Sequence, residues 1–152
     1  NILASTKPNT NGMFGDKAKL NPISHLLGTA YGWGGNPEEA ATYVNVVPKK
    51  NDGKTPYELV ITEQVPVDGF VSVTVYNAKG FMEKNSLNAY SVNNVTAEKN
   101  SDGTVTIHFG GDPTSSNYLP ITPGWNYVVR MYQPKKEVLD GSWTFPDPQL
   151  SK

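Results

Sequence analysis

At 152 residues the chain has the length of one domain with a sizeable hydrophobic core, and two full domains would be crowded. Thirteen basic against fourteen acidic residues give a net charge of -1, and the lysines are scattered apart from Lys49-Lys50 and Lys135-Lys136, a poor footprint for nucleic acid. Cysteine is absent, which excludes disulfides and thiolate metal sites, and no apolar run approaches the roughly 20 residues of a membrane span.

Fourteen Gly, twelve Pro, eight Tyr, five Phe and three Trp favour short strands joined by tight loops over a helical bundle. Residues 1–20, poor in apolar side chains, read as an extended N-terminal arm with little core, and residues 21–152 as one β-sandwich domain. Asn21-Pro22 forms an N-cap and N1 pair, and Ile23, Leu26, Leu27 and Ala30 follow at helical spacing until Gly32, Gly34 and Gly35 stop the turn. Asn36 to Ala41 repeats the capping logic for one or two turns before Thr42 to Val47 reads as strand.

Tyr57–Thr62 and Phe70–Tyr76 are β-rich runs bounded by Asn51-Asp52-Gly53 and Asp68-Gly69. The second reads as central, with valine at every odd position on a packed face and Phe70, Ser72, Thr74 and Tyr76 on a mixed one. Val95 to Phe109 gives the clearest hairpin, turning at Ser101-Asp102-Gly103 and matching Val95 and Ala97 to Val105, Ile107 and Phe109, with His108 on the opposite face. The last strand runs from Trp125 to Tyr132, placing Asn126, Val128, Arg130 and Tyr132 on one face, and the aromatic segment Leu139 to Pro146 is expected to close one sheet edge. Seven or eight strands at this spacing predict an all-β, jelly-roll-like β-sandwich with a short N-terminal helical segment.

Arg130 is the only arginine beside twelve lysines, and it lies among Val and Met in a β-type run. A planar, multi-donor guanidinium kept there points to a specific partner. The ligand-binding candidates are Arg130, Tyr132, Tyr90, Asn88 and Trp143, with Asn85 beside them, a polar and aromatic set suited to a carboxylate, sulfate or sugar. The alternative is that Arg130 caps backbone carbonyls or pairs one internal acid while the aromatics fill core.

Reactive chemistry finds little footing. There is no Gly-x-Ser-x-Gly elbow, His25 and His108 lie in unlike contexts, and no His-x-His or His-Glu-x-x-His spacing suggests a metal, so neither metal nor cofactor is expected. Gly32-Trp33-Gly34-Gly35-Asn36 lacks the Lys-Ser/Thr of a phosphate loop and reads as a helix end, while Asn51-Asp52-Gly53 and Ser101-Asp102-Gly103 lack the remaining ligands of a calcium loop and read as turns.

Several blocks then fall together in order: Gly32-Trp33-Gly34-Gly35-Asn36, Asp68 to Asn77, Asn85 to Ser91, Asn100 to Ile107, Asn117-Tyr118-Leu119-Pro120, Arg130 to Pro134 and Asp140 to Pro146. Over roughly residues 26 to 148 this order resembles the domain-of-unknown-function family 1214. The resemblance implies a jelly-roll-type C-terminal domain, often preceded by a partner domain of family 1254, in bacterial and some viral proteins. It implies no mechanism. Arg130, Tyr132, Asp140-Gly141 and Trp143 stand where the family pattern has them, whereas Val71 replaces the family's Trp and Ala89 an Arg that would have stood beside Tyr90.

The function class expected is a ligand-binding or accessory module of an exported bacterial protein, periplasmic or secreted, whose partner is an N-terminal domain or a second copy of the chain. The first residue is Asn and not Met, which favours processing or a chain cut from a longer protein. The rivals are a hydrolase or lyase with its site at the interface with a partner domain, Arg130 holding an anionic group, and a purely structural assembly domain.

Overall fold

The computed structural model describes residues 12–31 and 35–151. In chain order its elements are α1 (Pro22–Tyr31), β1 (Ala41–Val46), β2 (Tyr57–Ile61), β3 (Val71–Tyr76), β4 (Ser91–Asn93), β5 (Val105–Phe109), β6 (Tyr118–Leu119), β7 (Asn126–Tyr132), α2 (Lys136–Leu139) and β8 (Gln149–Leu150). The strands form two four-stranded sheets, ordered β1-β7-β3-β4 and β6-β5-β2-β8, antiparallel except for the short parallel β5–β6 pair.

Alternation decides which face of each strand packs inward. β3 buries Val71, Val73 and Val75, and β7 buries Tyr127, Val129 and Met131; β2 and β5 answer from the second sheet with Tyr57, Leu59, Ile107 and Phe109. Phe109 ties the layers together, its ring 5.0 Å from that of Tyr127 and 5.1 Å from that of Trp125. β3 is interior, between β7 and β4, as its unbroken valine face predicts. Helix α1 starts where Asn21 places it, the Asn21 Oδ1 accepting the N–H groups of Ile23 and Ser24. The helix end proposed at Gly32 to Gly34, and the arm over residues 1–11, lie outside the described residues.

Three expectations are corrected. The segment Val95–Lys99 forms no strand, and β5 pairs instead with β2 and β6. The Asn93 Oδ1 accepts the N–H groups of both Val95 and Thr96, turning the chain off the end of β4, and Val95 is left 78% exposed. The Asn117 carboxamide takes the place a strand would have had, accepting from Glu98 N–H and donating to the carbonyls of Glu98 and Thr106. Second, the sheet edge is closed by β8 on β2, while 140–146 lends Phe145 to the core and packs Trp143 against it. Third, Met13 in the supposed coreless arm is buried, close beside Gly28. Ile23 and Leu26, which fall at helical spacing in α1, are exposed.

The turns are stabilised by ionised aspartates. Asp52 accepts the N–H groups of Thr55 and Lys54 and the Thr55 hydroxyl, and these bonds, the Thr55 backbone bond foremost, lower its pKa from 3.8 to about 2. Asp102, Asp112 and Asp140 are lowered in the same way by Thr104, Thr114 and Ser142. Because these groups lose protons more easily in the folded chain, they stabilise the fold at pH values above about 4. That contribution disappears as the pH falls from there through about 2. Melting temperature followed from pH 5 to 2 is expected to fall less steeply for Asp52→Asn, whose amide accepts hydrogen bonds without titrating; an unchanged slope would remove Asp52 from the account.

Candidate functional site

Arg130 stands in the middle of β7, opposite Tyr43 of β1 on one side and Ser72 of β3 on the other. The register puts Tyr43, Asn45, Ser72, Thr74, Tyr76, Asn126, Arg130 and Tyr132 on the face turned away from the core. Arg130 is half-buried there. Its Nη2 donates to the Tyr76 hydroxyl at 2.6 Å, and the guanidinium carbon lies 5.7 Å from the centre of the Tyr76 ring. Tyr132 meets Tyr43 edge to face at 6.4 Å and Phe70 at 6.1 Å, and Asn36 donates its amide N–H to the Tyr43 hydroxyl.

Burial pushes the Tyr132 hydroxyl above its ordinary pKa, the neighbouring Tyr43 adds to that, and Arg130 opposes it. Among the described residues no carboxylate pairs with Arg130 and no backbone carbonyl accepts from it. Both structural partners considered for an arginine at this position are therefore missing among the described residues, and its hydrogen-bond partner is a phenol.

The five sequence candidates are distributed over three places. Arg130 and Tyr132 share one face two residues apart. Asn88 is exposed with φ 52°, in the loop leading to β4, and Tyr90 ends that loop, its carbonyl accepting from Val75 N–H. Trp143 lies elsewhere, its ring against Phe145 and its Nε1 donating to Glu63 at 2.7 Å. Tyr43 and Tyr76 were missed: Tyr76 was visible on the mixed face of its strand, but only the pairing of β3 with β7 brings it to Arg130.

The histidines serve local structure. His25 Nδ1 is 2.9 Å from the Met13 carbonyl oxygen, and His108 faces Glu58 at 3.8 Å across β5 and β2. Ser151 donates its hydroxyl to Glu58, not to His108, so the three do not form a nucleophile and base. Among the described residues no three His, Asp or Glu side chains gather as a metal-holding group, and no helix is long and apolar enough to cross a membrane.

A concavity away from the Arg130 face was not foreseen. Between the sheets, where β4 faces β5, a cleft of about 500 Å³ is walled by Val71, Val73, Val92, Val105 and Ile107 and rimmed by polar loop residues, among them Glu63. None of the five candidates lines it, but Trp143 holds Glu63 at its rim.

Residues 40–136 match the family model described as "Protein of unknown function (DUF1214)". Among solved structures, the chain is similar to the VPA0106 protein from Vibrio parahaemolyticus, a structural genomics target, at 26% identity and a TM-score of 0.75 over 99% of this chain. The chain spans 41% of the length of that protein. An uncharacterized protein from Burkholderia cenocepacia gives 18% identity and a TM-score of 0.46 over 75% of this chain and 29% of its own. No curated protein matches the chain.

Proposed function

The chain belongs to the DUF1214 family, whose function is unknown, and from the geometry of its Arg130 face we propose that it is a binding module for a small anionic ligand. The observation that carries this is the lone guanidinium, half-buried at the centre of a sheet face, with five N–H donors and, among the described residues, one hydrogen bond, to Tyr76. A carboxylate or sulfate fits the remaining donors in two-pronged fashion, and the rings of Tyr43, Phe70 and Tyr132 offer apolar surface to the body of a ligand such as an acidic sugar. Asn88 and Tyr90 enter this reading only as outlying contacts, and Trp143, held against Phe145 and Glu63, does not enter it.

We place the module in an exported bacterial protein, periplasmic or secreted, beside a partner domain. The likeness to a Vibrio protein more than twice as long supports the partner domain and a bacterial setting. We further assign the sandwich a jelly-roll-like wiring. Support comes from β1, β3 and β7 sharing one sheet while β2 and β5 lie in the other, and the direct succession of β3 by β4 departs from that pattern.

Calorimetric titration with galacturonate and with galactose tests the site. Wild type is expected to bind the acid and not the neutral sugar, and Arg130→Lys to weaken binding about tenfold or more, because an ammonium cannot reproduce the fork. Equal affinities for the two sugars, or an unchanged affinity in Arg130→Lys with its fold intact, would overturn the assignment.

A further inference from the structure

One sheet edge is unlike the others. The four edge strands are β1, β4, β6 and β8. β4 has three residues and β6 and β8 two each, too short to template a further strand, whereas β1 has six. Its sequence, Ala-Thr-Tyr-Val-Asn-Val, carries no charge and no proline, the usual protections of an open edge.

The ladder fixes which backbone groups are open. Gln133 N–H donates to the Ala40 carbonyl, and bonded pairs alternate along an antiparallel ladder, so Thr42, Val44 and Val46 bond to β7. The N–H and C=O groups of Tyr43 and Asn45 therefore point outward, and among the described residues no backbone group bonds to them. Val44, on the core side of the strand, stays half-buried between buried Thr42 and Val46, and Val47 just beyond is 66% exposed.

Charge selects the partner. Glu38 and Glu39 precede the strand, and Lys49 and Lys50 follow it. An antiparallel copy of the same strand brings the acids of each chain opposite the lysines of the other, while a parallel copy sets like against like. When Tyr43 pairs with Asn45 of the second copy, and Asn45 with its Tyr43, the open groups of both residues are satisfied and Val44 meets its own counterpart across the twofold axis. We propose that β1 is a self-association edge, joining two copies of this chain antiparallel into one eight-stranded sheet. The axis stands perpendicular to the sheet, so both Arg130 faces lie on the same side, about 14 Å apart across three strand spacings.

Sedimentation equilibrium of the whole chain, with cysteine cross-linking to fix the register, tests this. Wild type is expected to show a monomer–dimer equilibrium that loosens as salt rises. Asn45→Pro removes an outward N–H and none of the bonds to β7, and it is expected to weaken dimerisation about tenfold or more with circular dichroism unchanged. The chain has no cysteine, so Val44→Cys and Val47→Cys each introduce a single thiol. Mild oxidation is expected to cross-link Val44→Cys, whose thiol faces its own copy, and to spare the more exposed Val47→Cys, whose counterpart lies several residues away along the strand. A wild type that stays monomeric up to about 1 mM would overturn the proposal, as would an unchanged dissociation constant in Asn45→Pro. Cross-linking at Val47→Cys equal to or above that at Val44→Cys would overturn it too, because it marks collision without register.

Discussion

Phe109→Ala is expected to lower the free energy of unfolding by about 3–5 kcal/mol in urea titrations, the largest loss from a single truncation in this chain. Phe109 is fully buried at the end of β5, where it is paired with Tyr57 of β2 and Leu119 of β6. Its ring is the contact between the sheets, stacked on Tyr127 and tilted against Trp125. Those two rings are held by β7 and by the turn before it, so they cannot move far into the space a methyl group would leave, and the cavity term adds to the lost burial. Tyr127→Phe is the control. The Tyr127 hydroxyl is buried without a hydrogen-bond partner, and burial raises its pKa far above the ordinary tyrosine value. Removing a buried hydroxyl that bonds to nothing is expected to change stability by less than about 1 kcal/mol, in either direction. A small loss for Phe109→Ala, under about 1.5 kcal/mol, would show that the sheets can close over the gap.

Local chemistry carried much of the fold into the sequence. The valine face of β3, the alternation along β7 and the Asn21 cap are read from residues one to four apart, and each appears in the structure, although β3 buries Ser72 and Thr74 on its other face as well. What failed was pairing. Val95 to Phe109 has the alternation and the turn of a hairpin, and the turn does form, with Gly103 N–H donating to the Asn100 carbonyl. The strand is lost because two asparagines intervene, Asn93 by turning the chain and Asn117 by satisfying the β5 edge from a distant segment. Nothing in the spacing of 95–109 announces Asn117. The same limit applies to the candidate site: the face holding Arg130 and Tyr132 is legible in the period of β7, whereas Tyr43 and Tyr76 join it through sheet order alone.

Glycine substitutions at two turns separate backbone strain from steric conflict, with Gly53→Ala expected to cost about 2–5 kcal/mol and Gly103→Ala about 1–2 kcal/mol. Both residues have positive φ, 74° and 84°, so both alanines carry the left-handed penalty. At Gly103 an added Cβ meets nothing within 4 Å. At Gly53 it would lie 2.4 Å from the Pro123 nitrogen and 2.5 Å from the Thr122 carbonyl carbon, which are backbone atoms with no rotamer to change. The displacement has consequences beyond the turn. Gly124 N–H donates to the Asn51 carbonyl at 2.7 Å, and the Asn51 amide reaches the Trp125 carbonyl, so the loop at 51–56 fixes the approach of Trp125 to the core. Pushing Pro123 outward strains both bonds and loosens the Trp125 ring against Tyr57 and Phe109. Gly53→Ala is therefore expected to quench less of the native tryptophan burial signal on unfolding and to shift the urea midpoint well below that of Gly103→Ala. Matching midpoints for the two variants would mean that the loop yields to the added methyl, and that the aromatic end is held by the strands without it.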